Sequence, residues 1–282
     1  MEVFHAQTQL KEHLESIISS KKTIGFVPTM GAIHQGHLSL LQQALNQNDI
    51  VVVSIFVNPT QFNNQQDLDK YPRTLERDVA LIKMLSDNII VYAPTVDDIY
   101  NGTTIAQKFE YDGLESEMEG ANRPGHFDGV GTIVKMLFEI IKPTNAYFGE
   151  KDFQQLQIVR KMVQKNNLDV NVVGCPIFRE ESGLAMSSRN ERLSEKAKQK
   201  ATYIYKVLQE AKDVFQKSDV KQTVDYVTAA FKKETDFTLE YFVVANEDNL
   251  QTVHQKETDK KYRAFIVAHI EEVRLIDNIA LN

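Results

Sequence analysis

Between residues 23 and 175 short apolar runs alternate with stretches of helical spacing, and few folds accommodate that alternation. The runs cover residues 23–27, 49–57, 88–93, 145–149 and 170–175. Between them Leu38, Leu41, Ala44 and Leu45 keep helical spacing, as do Val79, Leu81, Ile82 and Leu85, and residues 130–141 and 153–166 read as two further helices. The run 49–57 has few polar breaks, the pattern of a strand covered on both faces. Strands and helices in strict alternation, joined by short loops, predict parallel βαβ units with right-handed crossovers. The expected class is therefore α/β, with a Rossmann-like parallel sheet. Ligands of such sheets sit at the carboxyl ends of the strands. Here those ends lead into residues 28–37, 58–62 and 149–155.

Near residue 180 the pattern changes. Ser194 opens a long helix with Ala197, Ala201, Ile204, Leu208, Ala211 and Phe215 on one face. A second helix carries Val220, Val224, Val227 and Phe231, and residues 238–246 and 262–280 read as strands. These features predict a Rossmann-like domain over residues 1–178 and a smaller α+β domain over residues 179–282, which 282 residues are enough to build.

Composition removes several functional classes. The formal net charge of -7 opposes a large phosphate-backbone footprint, so no nucleic-acid partner is expected, although small anions need only a local cluster of donors. No run of about 18 apolar residues exists, and the start, Met-Glu-Val-Phe-His, lacks a basic segment followed by an apolar one. No membrane association is expected. Cys175 is the single cysteine, which leaves no disulfide framework and predicts a reducing, cytoplasmic setting.

The chemistry concentrates in residues 23–37, Thr-Ile-Gly-Phe-Val-Pro-Thr-Met-Gly-Ala-Ile-His-Gln-Gly-His. A strand stopped by Pro28 is followed by a glycine turn and a helix, and a helix that starts between His34 and His37 carries both imidazoles at its N-terminal end. Unpaired backbone N–H groups and the positive pole of the dipole favour a phosphate there. Gly31 and Gly36 allow a ligand to approach the backbone. The alternative of a metal site built from His34, His37 and His126 finds no His-Glu-x-x-His to support it.

Further polar clusters follow the later strands. In Gly149-Glu150-Lys151-Asp152, Lys151 suits phosphates, while Asp152 suits either a ribose hydroxyl or a helix cap. Met186-Ser187-Ser188-Arg189-Asn190 offers two hydroxyls and a cationic fork, a sensible triphosphate clamp, although ordinary loop chemistry has the same composition. Gln61 and Gln155 are uncharged donors for a carboxylate or hydroxyl. Asp78, close behind a helix cap at Thr74, suits either Mg2+ or the helix dipole. Residues 95–120 are acidic and read as a solvated loop, and residues 120–129, rich in glycine around Arg123 and Pro124, read as a flexible flap. There is no Gly-x-Gly-x-x-Gly, no Gly-x-x-x-x-Gly-Lys-Ser/Thr and no Gly-x-Ser-x-Gly, which disfavours dinucleotide enzymes, P-loop NTPases and α/β-hydrolases.

Taken in order, these segments resemble the pantothenate synthetase family, the pantoate–β-alanine ligases. The resemblance rests on Gly-Phe-Val-Pro-Thr-Met-Gly-Ala-Ile-His-Gln-Gly-His, Ser-Ile-Phe-Val-Asn-Pro-Thr-Gln-Phe, Tyr-Pro-Arg-Thr, Arg-Pro-Gly-His-Phe, Gly-Glu-Lys-Asp-Phe-Gln-Gln and Met-Ser-Ser-Arg-Asn, which span residues 25–190. More widely it is similar to nucleotidylyltransferases and class I aminoacyl-tRNA synthetases, with Arg189 where a synthetase usually has lysine. The resemblance implies an ATP- and Mg2+-dependent condensation of pantoate with β-alanine through pantoyl adenylate, carried out by a homodimer. It implies that His34, His37, Lys151 and Arg189 are catalytic, with Ser187 and Ser188 beside them on the triphosphate. Met30, Gly31, Gly36, Gly149, Asp152, Phe178 and Met186 would contact the nucleotide, Gln61 and Gln155 pantoate, and Asp78 the metal. Apart from the resemblance, the place of Arg123 on the glycine- and proline-rich segment suits it to help cover the site. Ile33 and Phe153 replace the commoner leucine and tyrosine, and His269-Ile270-Glu271-Glu272 is more acidic than the family pattern. The competing expectation is a nucleotidylyltransferase that adenylates a phosphorylated small molecule; its acceptor would want more cations near Gln61 and Gln155.

Overall fold

In the computed structural model, which describes residues 1–282, the apolar runs form a six-stranded sheet with every pairing parallel. In chain order the elements are β1 (Val3–Phe4), α1 (Gln7–Ser19), β2 (Ile24–Thr29), α2 (Gln35–Gln47), β3 (Ile50–Ile55), α3 (Gln65–Lys70), α4 (Leu75–Leu85), β4 (Ile89–Tyr92), α5 (Val96–Tyr100), α6 (Met118–Asn122), α7 (His126–Ile141), β5 (Asn145–Gly149), α8 (Phe153–Lys165) and β6 (Asn171–Cys175). The spatial order is β1-β4-β3-β2-β5-β6, so its direction reverses between β2 and β5. Those two strands pair only at Gly25–Asn145 and Phe26–Ala146, yet β2 runs on to Thr29 and β5 to Gly149. They part at their carboxyl ends, and a crevice at such a reversal is where open α/β sheets take ligands.

Helices cover both faces of this sheet, which is why β3 contributes three consecutive fully buried valines, Val51, Val52 and Val53. α2 lays Leu41 and Ala44 against it, and α7 is buried along most of its length. Pro28 does not stop β2, contrary to expectation. It pairs opposite Ser54 where β5 has already left the ladder, so the missing N–H costs little.

Residues 95–120 are not a loose acidic loop. Ile99, Tyr100, Tyr111, Leu114 and Met118 are buried, and α5 and the start of α6 lie within the stretch. The 120–129 segment is packed at its two ends, Gly120 and residues 126–129, while Ala121, Asn122, Pro124 and Gly125 between them are exposed. A Cβ at Gly120 would lie 2.0 Å from the Glu115 carbonyl oxygen, and one at Gly129 would lie 2.4 Å from that of Thr60. Both glycines serve close backbone approach, and α7 already begins at the buried His126.

The chain divides into two compact units: residues 1–150 with 154–176, and residues 151–153 with 177–282. The second holds α9 (Glu195–Lys217), α10 (Val220–Lys232) and the antiparallel sheet β7 (Phe237–Asn246), β8 (Tyr262–Ile270) and β9 (Val273–Ala280), in that order. Its core is the predicted α9 face, Ala197 to Phe215, packed with Val227 and Phe231 of α10 and the β8 side chains. The acidic tail has a local purpose. Glu271 accepts from the Ser194 hydroxyl at 2.6 Å and from its backbone N–H at 3.2 Å, which fixes the residue that caps α9 and lowers the Glu271 pKa. Cys175 is buried in the first unit, and burial, aided by the Glu150 charge, pushes its thiol up to about 11. No helix is long and apolar enough to cross a membrane.

Candidate active site

After β2 the chain turns twice through left-handed backbone, at Gly31 (φ 84) and Ala32 (φ 50), before α2 begins. Glycine adopts this region at no steric cost, whereas alanine does not. The turn is held by Asp78. Its Oδ2 accepts from the Ala32 N–H at 2.9 Å, and its Oδ1 accepts from the Ile33 N–H at 2.8 Å and from the Thr74 hydroxyl at 3.2 Å. Thr29 adds a second tie: its hydroxyl donates to the Ser54 carbonyl at 2.7 Å and accepts from the Gly31 N–H at 3.2 Å.

That turn delivers His34 as the N-cap of α2, in extended conformation, with His37 one turn on and Gly36 between them. The two rings stack with centroids 4.0 Å apart and an interplanar angle of 24°. The first turn of α2 contains no acidic side chain, so no carboxylate of its own offsets the positive end of the helix dipole.

Met30, Gln61 and Arg123 come together in the same unit. Gln61 Nε2 donates to Met30 Sδ at 3.0 Å, and its Oε1 accepts from Asn58 Nδ2 at 3.1 Å. The Gln61 carbonyl accepts from His126 Nδ1 at 2.8 Å and, more weakly, from Arg123 at 3.4 Å. Asn58 is 1% exposed and also receives the hydroxyls of Thr60 and Tyr100 at 3.1 and 2.6 Å. Sequence reasoning assigned no role to Asn58 and weighed His126 only as a metal ligand; both shape the turn that bears Gln61. The buried contact between Gly129 and Thr60 supports this turn from below. Gly129→Ala is expected to displace the Thr60–Gln61 backbone and cost about 1–3 kcal/mol of stability. A variant with wild-type melting would show that the contact is dispensable.

On α8 two adjacent glutamines divide their work. Gln154 is buried, donating to the Leu114 and Glu117 carbonyls at 2.8 Å each and accepting from the Glu119 N–H at 3.0 Å. Gln155, the residue singled out from sequence, is half-buried beside it. Gly149 ends β5 opposite Cys175, with no atom within 4 Å of where a Cβ would stand.

In the second unit a cavity of about 20 Å3 is lined by Lys151, Ser187, Arg189, Asn190, Arg274 and Asp277. Ser187 caps a short turn covering Ser188 and Arg189, accepting from the Arg189 N–H at 3.2 Å. Met186 donates its N–H to the Phe178 carbonyl at 3.0 Å, and Phe178 is 39% exposed. Asp152, largely exposed, has a carboxylate oxygen 3.9 Å from the Lys151 ammonium.

Asp78 was expected to hold Mg2+, and its surroundings do not fit that role. It is 1% exposed, both oxygens already accept backbone N–H groups, and Oδ1 accepts the Thr74 hydroxyl as well.

A Rossmann-ordered sheet whose switch-point strand leads through His34 and His37 onto a helix N-terminus defines a class, the α/β proteins built to take a phosphate-bearing ligand at the carboxyl ends of their strands. The sequence model of the pantoate-beta-alanine ligase family matches residues 2–280, and the chain belongs to that family. It is 58% identical to the pantothenate synthetase of Flavobacterium psychrophilum over the full length of both chains, and 52% identical, again over full length, to that of Christiangramia forsetii. Among solved structures, the pantothenate synthetase of Thermus thermophilus superposes with a TM-score of 0.90 at 37% identity, covering 100% of this chain and 99% of that one. The Francisella tularensis pantoate-beta-alanine ligase, solved in complex with "Beta-gamma ATP" and β-alanine, superposes with a TM-score of 0.81 at 35% identity, over 100% and 98% of the two chains. The chain is accordingly a ligase that uses ATP to join pantoate and β-alanine through an amide bond; transfer to a phosphorylated acceptor is not favoured.

Proposed function

We propose that the condensation proceeds in two steps and that the residues named from sequence carry it. A carboxylate does not react with an amine because its leaving group would be oxide. In the first step a pantoate carboxylate oxygen attacks the α-phosphorus of ATP, the α–β phosphoanhydride bond breaks and pyrophosphate leaves. In the second, the amine of β-alanine attacks the acyl carbon, AMP leaves and the nitrogen gives up a proton.

Charge spreads over phosphate oxygens in the first transition state, and donors already in place there lower the barrier. His34, His37 and the α2 N–H groups supply such donors. Lys151, Ser187, Ser188 and Arg189 take further phosphate oxygens, while Met30, Gly31, Gly36, Gly149, Asp152, Phe178 and Met186 border the nucleotide. Gln61 and Gln155 hold pantoate's carboxylate and hydroxyls without adding a competing charge, and Arg123 guards the adenylate from water. The observation that carries these assignments is the pair of stacked imidazoles on a helix N-terminus whose first turn lacks acid.

Mg2+, when bound, would neutralise phosphate charge. With Asp78 committed to the turn, no protein carboxylate is assigned to the ion and no step is routed through it. We also infer a homodimer from the family resemblance and a cytoplasmic location from the lone buried cysteine; light scattering tests the first.

The deciding experiment is ATP–pyrophosphate exchange without β-alanine. Exchange is expected only when pantoate is present, because the first step alone is reversible. Exchange that ignores pantoate and follows a phosphorylated acceptor would replace this mechanism with nucleotidyl transfer.

A further inference from the structure

Asn278 on β9 is 1% exposed, and its amide faces two ways. Nδ2 donates to the backbone carbonyl of Lys151 at 2.9 Å, and Oδ1 accepts from Arg263 at 2.6 Å. Arg263 is in turn fixed by Glu247, to which its Nε donates at 2.8 Å, and its guanidinium lies 3.9 Å above the ring of Phe153, two residues beyond Lys151. From the other side, the Asn278 N–H donates to Asp277 at 2.8 Å, and Asp277 receives both arms of Arg179 at 2.7 and 2.9 Å. A chain of polar side chains, Glu247 to Arg263 to Asn278, thus ends on the main chain of Lys151.

Buried ion pairs of this kind add little stability over apolar packing, because each charge must first leave water. What such a network supplies is a fixed position. Lys151 needs one. Its side chain is long and rotamer-rich, it sits on a single 3₁₀ turn, and the peptide that carries it is tied to β9 by the Asn278 amide.

We propose that Asn278 is a positioning residue for the ligase reaction: by anchoring the Lys151 carbonyl, it aims the Lys151 ammonium at the phosphates of ATP. This rests on the role assigned to Lys151 above. Asn278 touches no reacting atom, so its effect must pass through Lys151 and be lost when Lys151 is lost.

A double-mutant cycle on the full chain tests this, with pantoate-dependent pyrophosphate exchange as the readout. Asn278→Asp keeps the size and the acceptor for Arg263 but puts an acceptor against the Lys151 carbonyl. It is expected to lower kcat/KM for ATP roughly tenfold or more. In that background Lys151→Ala should cost far less than it does in the unaltered protein. If Lys151→Ala costs the same in both backgrounds, Asn278 does not act through the lysine and the proposal is wrong. If Lys151→Ala is damaging but Asn278→Asp is silent, the proposal alone falls. If Lys151→Ala is itself silent, the role of Lys151 falls and takes the proposal with it. Should Asn278→Asp fail to fold, Asn278→Ser, neutral and too short to reach the carbonyl, replaces it; failure of both to fold would make Asn278 a folding residue and overturn the proposal.

Discussion

His37→Ala is expected to lower kcat for pantoate-dependent pyrophosphate exchange by about 10²- to 10³-fold while leaving the melting temperature nearly unchanged. His37 stands in the first turn of α2, outside the buried core, and alanine is an excellent helix former there. The ring stacks on His34, so its removal is felt chiefly at the N-terminal end of the helix. What goes is a donor positioned beside the helix N–H groups, and removing a comparable preorganised donor elsewhere costs about 2.7–4 kcal/mol of transition-state stabilisation. Because that charge develops chiefly during attack on the α-phosphorus, kcat should fall more than KM for ATP rises. His37→Gln, which retains a neutral amide donor in place of the imidazole, should recover part of the loss. A His37→Ala enzyme within twofold of the unaltered rate would remove His37 from the mechanism.

How much of this was visible in the sequence depends on how each residue does its work. Strands buried on both faces announce themselves as unbroken apolar runs, so β2 to β6 and the α/β class were legible. β1 has only two residues, too few for a period, and α1 pairs just Leu10 and Leu14 with the core, too sparse a stripe to stand out. The residues that bury the 95–120 stretch, Ile99, Tyr100, Tyr111, Leu114 and Met118, are not periodic either; they meet the core one at a time, which composition registers as loop. His34 and His37 could be found because the site comes from neighbours along one helix turn. His126 and Asn278 act across long separations, Asn278 on a residue 127 positions away, and Asn58 ties its own turn to the distant Tyr100 and Gly129; no local spacing encodes that. Gln154 and Gln155 are indistinguishable on paper; only the structure shows that Gln154 is the one spent on the backbone of residues 114–119 while its neighbour is half-buried.

Asp78→Ala should show the largest loss of stability of any single change proposed for the first unit, together with a loss of activity. Two backbone N–H groups, those of Ala32 and Ile33, would be left in a buried turn without the carboxylate they now reach at 2.9 and 2.8 Å. Each costs about 1–3 kcal/mol when stranded, so a total near 3 kcal/mol and a fall in melting temperature of roughly 6–12 °C are expected. Ala32 carries the argument for activity rather than for stability. Its left-handed backbone (φ 50) carries a strain of about 1–2 kcal/mol that the Asp78 hydrogen bonds hold in place, and once they are gone the turn can relax to ordinary dihedrals. His34 follows two residues later as the N-cap of α2, so relaxation would move both imidazoles and lower exchange activity. Asp78→Asn is a sharper version: the size is kept, but the amide nitrogen of the side chain must face a backbone N–H. A metal ligand at this position would behave differently. Its loss would spare the melting temperature and be answered by added Mg2+, whereas a turn anchor is expected to melt early at every Mg2+ concentration. Asp78→Ala with unchanged melting and activity restored by Mg2+ would return Asp78 to the metal and leave the left-handed turn needing another support.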